Sequence, residues 1–266
     1  MLLLYYIIIL VSICLVFWAY FKLKYPFWSK QPVFHFHNIF YWLVPPGIIE
    51  HKLPEKNKFY DETIFFYDYL KLPIQKKSLL ELFIKENYMP HKHECYKPPK
   101  YGIINYLKNH NDTSFVSFIE KNKKIVASMT TKPLHCKINS TVFDIYYVDF
   151  LCVSKKKRKQ GLAPKIIYTH YVKQRNKHKN CIFLFKREGA RNAIVPLTTY
   201  YNYSFDIDLW PKKINFDQPE INTILIGEEN FVLFHDVFKR LDRSKFKFII
   251  FLKLSNILYL VKKKLI

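Results

Sequence analysis

The sequence predicts an α/β (α+β) fold, a mixed sheet flanked by helices, preceded by one transmembrane helix. Three observations predict it. Residues 1–21 form an uncharged, apolar run that is long enough to span a bilayer. Residues 113–153 contain strand-type segments separated by polar turns. Residues 161–177 then place apolar side chains at helical spacing, directly after the last of these strands.

The N-terminal run, MLLLYYIIILVSICLVFWAYF, predicts a membrane anchor over residues 1–22. No basic segment precedes the run and no small-residue cleavage site follows it, which favours an anchor over a cleaved signal peptide. Lys22, Lys24 and Lys30 follow it, so the positive-inside rule predicts a single-pass protein with most of its chain in the cytosol. A buried core helix is the alternative interpretation of the same run.

The segment after the anchor and the helices beyond it are predicted next. Residues 23–58 carry many prolines and aromatic residues, which indicates an ordered, extended arm and not a flexible linker. Apolar residues at helical spacing predict a helix over 76–88. Two prolines open a second, short helix at 99–108.

The sheet is predicted from period-two segments and turns. TSFVSFIE, KNKK and IVASMTTK predict a hairpin over 113–132. TVFDIYYVDFLCV predicts a long strand at 141–153, and the apolar end of this strand suggests burial on both faces. CIFLF predicts a buried strand at 181–185, after the helix that begins at Gly161. TILI, GEEN and FVLF predict a second hairpin near 223–234.

Charge and cysteine usage limit the possible partners. The formal net charge is +22, which favours binding to polyanions such as nucleic acid, anionic lipid or phosphorylated small molecules. No RNP-like or zinc-finger pattern occurs, so we expect no nucleic-acid partner. The five cysteines are scattered and contain no CxxC pair, which is typical of free thiols in a reducing compartment. His91, His93 and Cys95 alternate in PHKHECY, but lack an evident fourth ligand, so we expect no metal site.

The stretch FLCVSKKKRKQGLAP, residues 150–164, places a dense basic run between the long strand and the next helix. A helix N-terminus offers unpaired N–H groups and a partial positive charge, which suit a phosphate. Gly161 allows the backbone to approach a bulky anion closely. The spacing Arg158-x-x-Gly161-x-Ala163 resembles the pyrophosphate-binding loop of GNAT-type acyl-CoA transferases. A solvated or nuclear-localisation-like basic loop is the alternative.

A longer resemblance extends over about residues 25–205. YYVDFLCVSKKKRKQGLAP resembles the signature segment E-I-N-F-L-C-V-H-K-K-L-R-S-K-R-x-A-P of eukaryotic protein N-myristoyltransferases. FWSKQPV, residues 27–33, is similar to the FW-x-TQPV arm of that family, and FFYDYLKLPIQKKSLLELFIKENYM is similar to a segment that lies between the two motifs. The motifs occur in the family's order.

The resemblance implies one GNAT-like half of that fold over residues 59–240, with a mixed, mostly antiparallel sheet. It implies acyl-CoA, as myristoyl-CoA, as the co-substrate, with no metal. It implies that the backbone N–H groups of Phe150 and Leu151 form the oxyanion hole. The residues that it implies for acyl-CoA binding are Phe27, Trp28, Cys152, Val153, Arg158, Lys159, Gln160, Gly161, Leu162 and Ala163. Cys152 as a covalent nucleophile is the alternative to a small buried side chain.

The sequence also departs from the family. The family's asparagine is Asp149 here, its histidine is Ser154, and its glycine-rich second-half signature is missing. Residues 241–266 form an apolar and basic tail that either packs on the domain or lies on a membrane. The general base is left open among the Ile266 carboxylate, Asp149, His170, His235 and Asp236.

Two functions follow from these observations. The first is a membrane-anchored N-acyltransferase that moves an acyl group, myristoyl by the resemblance, from acyl-CoA to an amine such as the N-terminal glycine of an acceptor protein or peptide. The alternative is a catalytically inactive, acyl-CoA-binding membrane protein derived from an N-myristoyltransferase half.

Overall fold

The computed structural model describes residues 2–38, 42–43, 48–89, 96, 98–99, 101–110, 112–138, 141–187, 194–199, 201, 203, 224–242 and 248–263. Its helices are α1 (Leu2–Lys24), α2 (Ile74–Asn87), α3 (Gly102–Lys108), α4 (Leu162–Lys177), α5 (Phe231–Asp242) and α6 (Leu254–Lys262). Its strands are β1 (Phe65–Asp68), β2 (Phe115–Lys121), β3 (Lys124–Ile138), β4 (Thr141–Val153), β5 (Ile182–Phe185) and β6 (Phe248–Phe251).

The strands form one mixed, mostly antiparallel sheet in the order β1-β2-β3-β4-β5, and β6 pairs with β3. Strands β1 to β4 pair antiparallel, whereas β5 runs parallel to β4. The β2–β3 hairpin turns at Asn122 and Lys123, whose positive φ angles of 50° and 60° fit the primed turns that match strand twist. The predicted fold class is therefore confirmed.

Helices cover both faces of the sheet. Side chains of α2 and α3 join alternate residues of β2 in one core, in which Leu80, Ile84, Ile103 and Phe118 are almost fully buried. Helix α4 covers the other face, where Ile166 packs with residues of β2 and β3. This alternation follows from the pleat of a strand, which sends neighbouring side chains to opposite faces.

A hydrogen-bonded group of polar side chains fixes α4 to the sheet. His170 is fully buried, and it contacts Ser117 Oγ on β2 through Nδ1 at 2.8 Å. Its Nε2 lies 3.0 Å from Thr131 Oγ1 on β3 and 2.9 Å from Gln174 Oε1 on its own helix. Burial lowers the pKa of His170 to about 3, so the ring is neutral at pH 7.

The hairpin predicted near residues 223–234 is wrong, because α5 begins at Phe231. The sequence FVLFHDVFKRLD repeats apolar residues every three or four positions, and this helical period prevails over the short strand-like run FVLF. Asn230 stands at the start of the helix, where its side chain accepts a hydrogen bond from the Gly227 N–H at 2.6 Å.

The two ends of the chain differ in their packing. At the C-terminal end, β6 pairs with residues 135–138 of β3, and α6 buries Asn256 and Leu260. At the N-terminal end, the large apolar side chains of α1 from Leu4 to Leu23 are 39–82% exposed, apart from Phe21. By length and composition, α1 could cross a membrane over Leu4–Lys24. Its exposure argues against the alternative of a helix buried in the protein core.

Candidate active site

A cavity of about 490 Å³ opens where β4 and β5 separate. The two strands pair in parallel from Ile145 and Ile182 to Val148 and Phe185. Strand β4 continues to Val153 while β5 ends, which leaves a wedge beside the end of β4. Met129, Val148, Ile167 and Phe183 give the cavity apolar walls. A concave, mainly apolar site of this size suits a small-molecule ligand.

A β-bulge forms the edge of the cavity. Thr130 pairs with Asp149 and Ser128 pairs with Cys152, so two residues of β4, Phe150 and Leu151, lie opposite the single Met129 of β3. Phe150 takes a left-handed φ of 47°, which is rare for an aromatic residue. Its ring is buried in the core, whereas Leu151 is 36% exposed, and both residues line the cavity.

The Asp149 carboxylate is held at this bulge by three donors. The Phe150 N–H donates to Oδ1 at 2.8 Å. The hydroxyl of Tyr88 donates to Oδ1 at 3.0 Å, and the hydroxyl of Tyr106 donates to Oδ2 at 2.8 Å. One of the two amides predicted for the oxyanion hole therefore already binds an anion in this structure.

Burial and charge perturb the groups around this carboxylate. Burial, and then the Asp149 charge, raises the pKa of the Tyr106 hydroxyl far above its usual value. Burial lowers the pKa of Lys132 to about 8, against the opposing effect of Asp149. The Lys132 Nζ lies 3.5 Å from the centroid of the Tyr106 ring, in a cation–π contact.

Phe27 and Trp28, the adjacent aromatic residues of the arm, lie in different environments. Trp28 lines the cavity and stacks on Phe185 with a centroid distance of 5.5 Å. Phe27 is 6% exposed and packs with Tyr168 and Val172 of α4. The Gln31 side chain donates to the Phe27 carbonyl at 3.2 Å, which fixes this turn of the arm.

The basic loop follows the bulge and leads into α4. It contains a 3-10 turn at Lys155–Lys157, and Arg158 donates from Nε to the Val153 carbonyl at 3.2 Å. Lys159 and Gly161 have φ angles of 61° and 71°. A Cβ placed on Gly161 would meet no atom within 4 Å, so open space surrounds the start of the helix.

The sequence-predicted residues thus divide among the cavity wall, the basic loop and the core. Phe150, Leu151 and Trp28 line the cavity. Lys159, Gln160 and Gly161 are exposed in the loop. Phe27, Cys152 and Leu162 are buried, and Val153, Ala163 and Arg158 complete the strand end, the first helical turn and the loop.

Cys152 packs in the core, away from solvent. It is 7% exposed, and its Sγ lies 3.3 Å from Ser128 Oγ. Burial raises the pKa of its thiol to about 11. A buried, protonated thiol is a poor nucleophile, which supports the structural interpretation of this residue.

Sequence reasoning did not identify several residues that line or close the cavity. Ile167, Tyr171 and Arg175 of α4 line it, and their spacing of four places them on one helical stripe, a signal that was available. The Arg175 guanidinium donates to the carbonyls of Glu50, His51 and Lys52 at 3.0, 3.2 and 2.9 Å, which fixes the arm over the cavity. Lys186 and Arg187, which follow β5, bring positive charge to the cavity wall.

The candidates for a general base differ in whether they line the cavity. Asp149 lines the cavity. His170 is buried in the hydrogen-bonded group under α4 and does not line it. His235 and Asp236 are on α5 and do not line the cavity either, whereas the Ile266 carboxylate lies outside the described residues.

The predicted absence of a metal site stays a prediction. His91, His93 and Cys95 lie outside the described residues. Among the residues that the structure does describe, no group of three or more His, Cys, Asp or Glu side chains could hold a metal ion.

Comparison with known proteins gives a consistent result. Residues 64–183 match the family model described as "Myristoyl-CoA:protein N-myristoyltransferase, N-terminal domain". A search of curated protein sequences found no match. Similar solved structures are those of Saccharomyces cerevisiae N-myristoyltransferase with bound myristoyl-CoA and, in one case, inhibitors.

The structural similarity covers most of this chain but only part of the yeast enzyme. One yeast structure superposes with a TM-score of 0.63 at 16% identity, over 88% of this chain and 61% of that one. A second gives a TM-score of 0.61 at 16% identity, over 92% and 63%. The chain therefore spans about three fifths of the length of the solved structures that it matches, and the similarity shows a common fold.

Proposed function

We propose that this chain binds a long-chain acyl-CoA, such as myristoyl-CoA, and transfers the acyl group to an amine, because residues 64–183 match the family model of an N-myristoyltransferase N-terminal domain. The amine would be the N-terminal glycine of an acceptor protein or peptide. The observation that carries the proposal is the bulge of β4: it faces an apolar cavity at Phe150 and Leu151 and leads at once into a basic loop. One strand end thus offers sites for both ends of an acyl-CoA.

Each part of the ligand has a complementary surface. The acyl chain and thioester would occupy the cavity beside Trp28 and Leu151. The diphosphate would bind the exposed loop and the first turn of α4, where N–H groups and lysines favour an anion. The residues proposed for this second contact are Arg158, Lys159, Gln160, Gly161, Leu162 and Ala163. Phe27, Cys152 and Val153 would support the site from the core and from the end of the strand.

The transfer would proceed without a covalent intermediate. The acceptor amine attacks the thioester carbonyl carbon, and the oxygen gains negative charge as the C–N bond forms. The N–H groups of Phe150 and Leu151 stabilise this oxyanion, a contribution typically of about 3 kcal/mol for each donor. The C–S bond then breaks and CoA leaves as a thiolate, the amine loses its proton to a base, and this proton passes to the thiolate to give CoA thiol. Asp149 must release the Phe150 N–H before the thioester oxygen can occupy it.

We also propose the location and organisation of the chain. Residues 1–22 anchor it in a membrane as a single pass, and the remainder faces the cytosol. Residues 23–58 form the CoA-contacting arm, 59–240 the acyltransferase-type domain, and 241–266 an apolar and basic tail. The exposed apolar surface of α1 and the lysines at its end support this arrangement.

One observation favours the alternative of an acyl-CoA-binding protein without activity. The Asp149 carboxylate accepts the hydrogen bond of the Phe150 N–H, the donor to which the neutral thioester carbonyl would have to bind. An inactive protein would bind acyl-CoA and release no product. The two functions therefore differ in turnover and not in binding.

The proposal is tested by binding and turnover on the full chain in detergent micelles. We expect myristoyl-CoA to raise the melting temperature more than CoA or acetyl-CoA, since only the long chain fills the cavity. Trp28→Ala should reduce this stabilisation, whereas Trp42→Ala, a matched change at an exposed tryptophan outside the cavity, should not. Transfer of radiolabelled myristate to a peptide with an N-terminal glycine would establish the activity. Stabilisation without transfer would support the inactive alternative, and no stabilisation by any of the three ligands would refute the site itself.

A further inference from the structure

The cavity lies beside the end of the apolar helix α1. Trp28, which lines the cavity, follows the last residue of that helix, Lys24, by four positions, a span of at most about 14 Å. Backbone hydrogen bonds continue across this join, from the Tyr25 N–H to the Phe21 carbonyl and from the Ser29 N–H to the Tyr25 carbonyl, each at 2.9 Å. If α1 is in a membrane, the cavity must therefore lie near the membrane surface.

The end of α1 is attached firmly to the domain. Phe21 is 8% exposed, although the neighbouring large apolar side chains of the helix are exposed. It packs against the rings of Phe36 and His37, with centroid distances of 4.7 and 5.5 Å. Phe36 also contacts Phe17, a further turn into the helix, at 6.0 Å. The part of the arm around Phe36 and His37 thus folds back against the end of the apolar helix.

That segment adds exposed apolar side chains to those of the helix. Trp42 is 59% exposed and Leu43 is 78% exposed, while Leu23 at the helix end is 82% exposed. Trp42 is held in place, because its indole N–H donates to the Phe36 carbonyl at 3.2 Å and its ring contacts Phe34 at 5.0 Å. We call the side chains of Leu23, Phe36, Trp42 and Leu43 the interfacial cluster.

The chemistry around the cluster matches a lipid surface. Trp18 and Tyr20 lie one turn earlier on α1, and the Lys22 Nζ lies 3.7 Å from the Trp18 ring centroid. Aromatic rings and lysines at the end of an apolar helix are typical of the membrane–water interface. Lysines close to an anionic bilayer contribute about 1 kcal/mol each to binding. Because α1 is long and apolar enough to cross a membrane, a bilayer is the one surface that fits both the helix and the cluster beside its end.

We propose that the interfacial cluster docks the domain onto an anionic lipid bilayer, so that the cavity opens at the membrane surface. Gln31, Pro32 and Val33 line the cavity and precede Phe36 of the cluster in sequence, and Ile48, which follows Leu43, lines it too. The wall of the cavity and the lipid-facing surface are therefore parts of one segment. This inference rests on the proposed function for its substrate class: acceptors whose amine is presented at the membrane.

Lipid contact is measured without reference to activity. The chain has four tryptophans, so a form that keeps Trp42 alone is obtained by replacing Trp18, Trp28 and Trp210 with Phe. In nanodiscs of phosphatidylserine and phosphatidylcholine with brominated acyl chains, Trp42 fluorescence should fall about twofold, as expected of a ring at the headgroup–acyl boundary. The matched control carries Leu70→Trp as its only tryptophan, an exposed apolar position outside the cluster, and should keep its fluorescence. Absence of quenching at Trp42, or equal quenching in the control, would overturn the proposal.

A second measurement separates this inference from the proposed function. The double variant Trp42→Ser, Leu43→Ser should bind myristoyl-CoA in detergent as the wild type does, because neither residue lines the cavity. On nanodiscs α1 still anchors this variant, but its cavity is no longer held at the bilayer surface. It should therefore lose about tenfold in transfer to a glycine peptide tethered to lipid and nothing with a free peptide. If the double variant matched the wild type with the tethered peptide as well as with the free one, docking would be contradicted. If Trp42 were quenched but the protein did not bind acyl-CoA, the proposed function would be refuted and the docking surface would remain supported.

Discussion

The Asp149 carboxylate accepts three hydrogen bonds at the bulge of β4, and one of them comes from the Phe150 N–H. This is the amide to which an acyl-CoA carbonyl oxygen would have to bind. The negative charge of the Asp149 carboxylate, which contacts the same N–H group, repels the oxyanion that develops on the thioester oxygen. At an effective dielectric constant of about 20, two unit charges about 4 Å apart interact by about 4 kcal/mol, which is an upper limit for a relaxed site.

We therefore expect Asp149→Asn to increase the transfer rate about tenfold, because the substitution removes about 1.4 kcal/mol of this repulsion and keeps the shape of the side chain. The rate is measured with saturating myristoyl-CoA and a glycine peptide. Asp144→Asn, on the same strand but outside the cavity, is the matched control and should leave the rate unchanged. A tenfold loss in Asp149→Asn would instead identify Asp149 as the base that accepts the amine proton.

The thiol of Cys152 is buried, and we expect that it takes no part in the transfer. Because burial raises the pKa of its thiol to about 11, Cys152→Ala should retain transfer within about twofold and lose roughly 1 kcal/mol of stability from the missing sulfur. Iodoacetamide at pH 8 should alkylate this cysteine only after unfolding in urea. Mass spectrometry of the labelled peptide checks it, and rapid labelling of the folded protein with loss of activity would revive the nucleophile hypothesis.

Among the elements, α4 depends on the neutral state of His170 for its attachment to β2 and β3. The folded pKa of about 3 lies below the ordinary 6.5, so below pH 6.5 the unfolded chain binds a proton that the folded chain does not. The unfolding free energy should therefore fall as the pH drops from 6.5 toward 3, by at most about 1.4 kcal/mol for each pH unit. Above pH 6.5 this contribution is fully present.

Urea unfolding in detergent at pH 7.5 and pH 5.0 measures this dependence, and the wild type should lose about 2 kcal/mol between them. His170→Gln removes the titrating ring, so its unfolding free energy should change much less over the same interval, although the variant is less stable at pH 7.5. His178→Gln, at the exposed end of α4, is the matched control and should behave as the wild type does. An unchanged pH dependence in His170→Gln would show that other groups dominate.

Sequence patterns predict the bounds of β4 and α4 but not the bulge that shapes the candidate site. The bounds of β4 follow from its β-branched and aromatic run, and α4 follows from Gly161 and its helical period. The bulge at Phe150 could not be predicted in this way, because it depends on the register of β4 against β3 and on a left-handed aromatic residue. Likewise, the three donors to Asp149 come from residues 43 and 61 positions away and from its own successor.

For the whole molecule, the excess of 43 basic over 21 acidic residues gives a field that should strengthen binding of an anionic cofactor. The basic loop before α4 is the local part of this charge, and the apolar cavity is separate from it. The two parts of the proposed acyl-CoA site should therefore respond differently to salt. Screening shortens the range of charge interactions from about 10 Å at 0.1 M to about 3 Å at 1 M.

We expect the Kd of myristoyl-CoA to rise about tenfold from 0.05 to 0.5 M KCl, because screening weakens the attraction between the loop and the phosphates. The Kd of S-myristoyl-pantetheine, which has the same thioester and acyl chain without phosphates, should rise less than about twofold over the same range, since it would contact only the cavity. Isothermal titration of the full chain in detergent measures both. In Arg158→Gln, Lys159→Gln the salt dependence for myristoyl-CoA should decrease, while pantetheine-ester binding is unaffected. Equal salt dependence for the two ligands would mean that the loop does not hold the phosphates, and the anion site would then have to be sought at Lys186 and Arg187, two basic residues of the cavity wall.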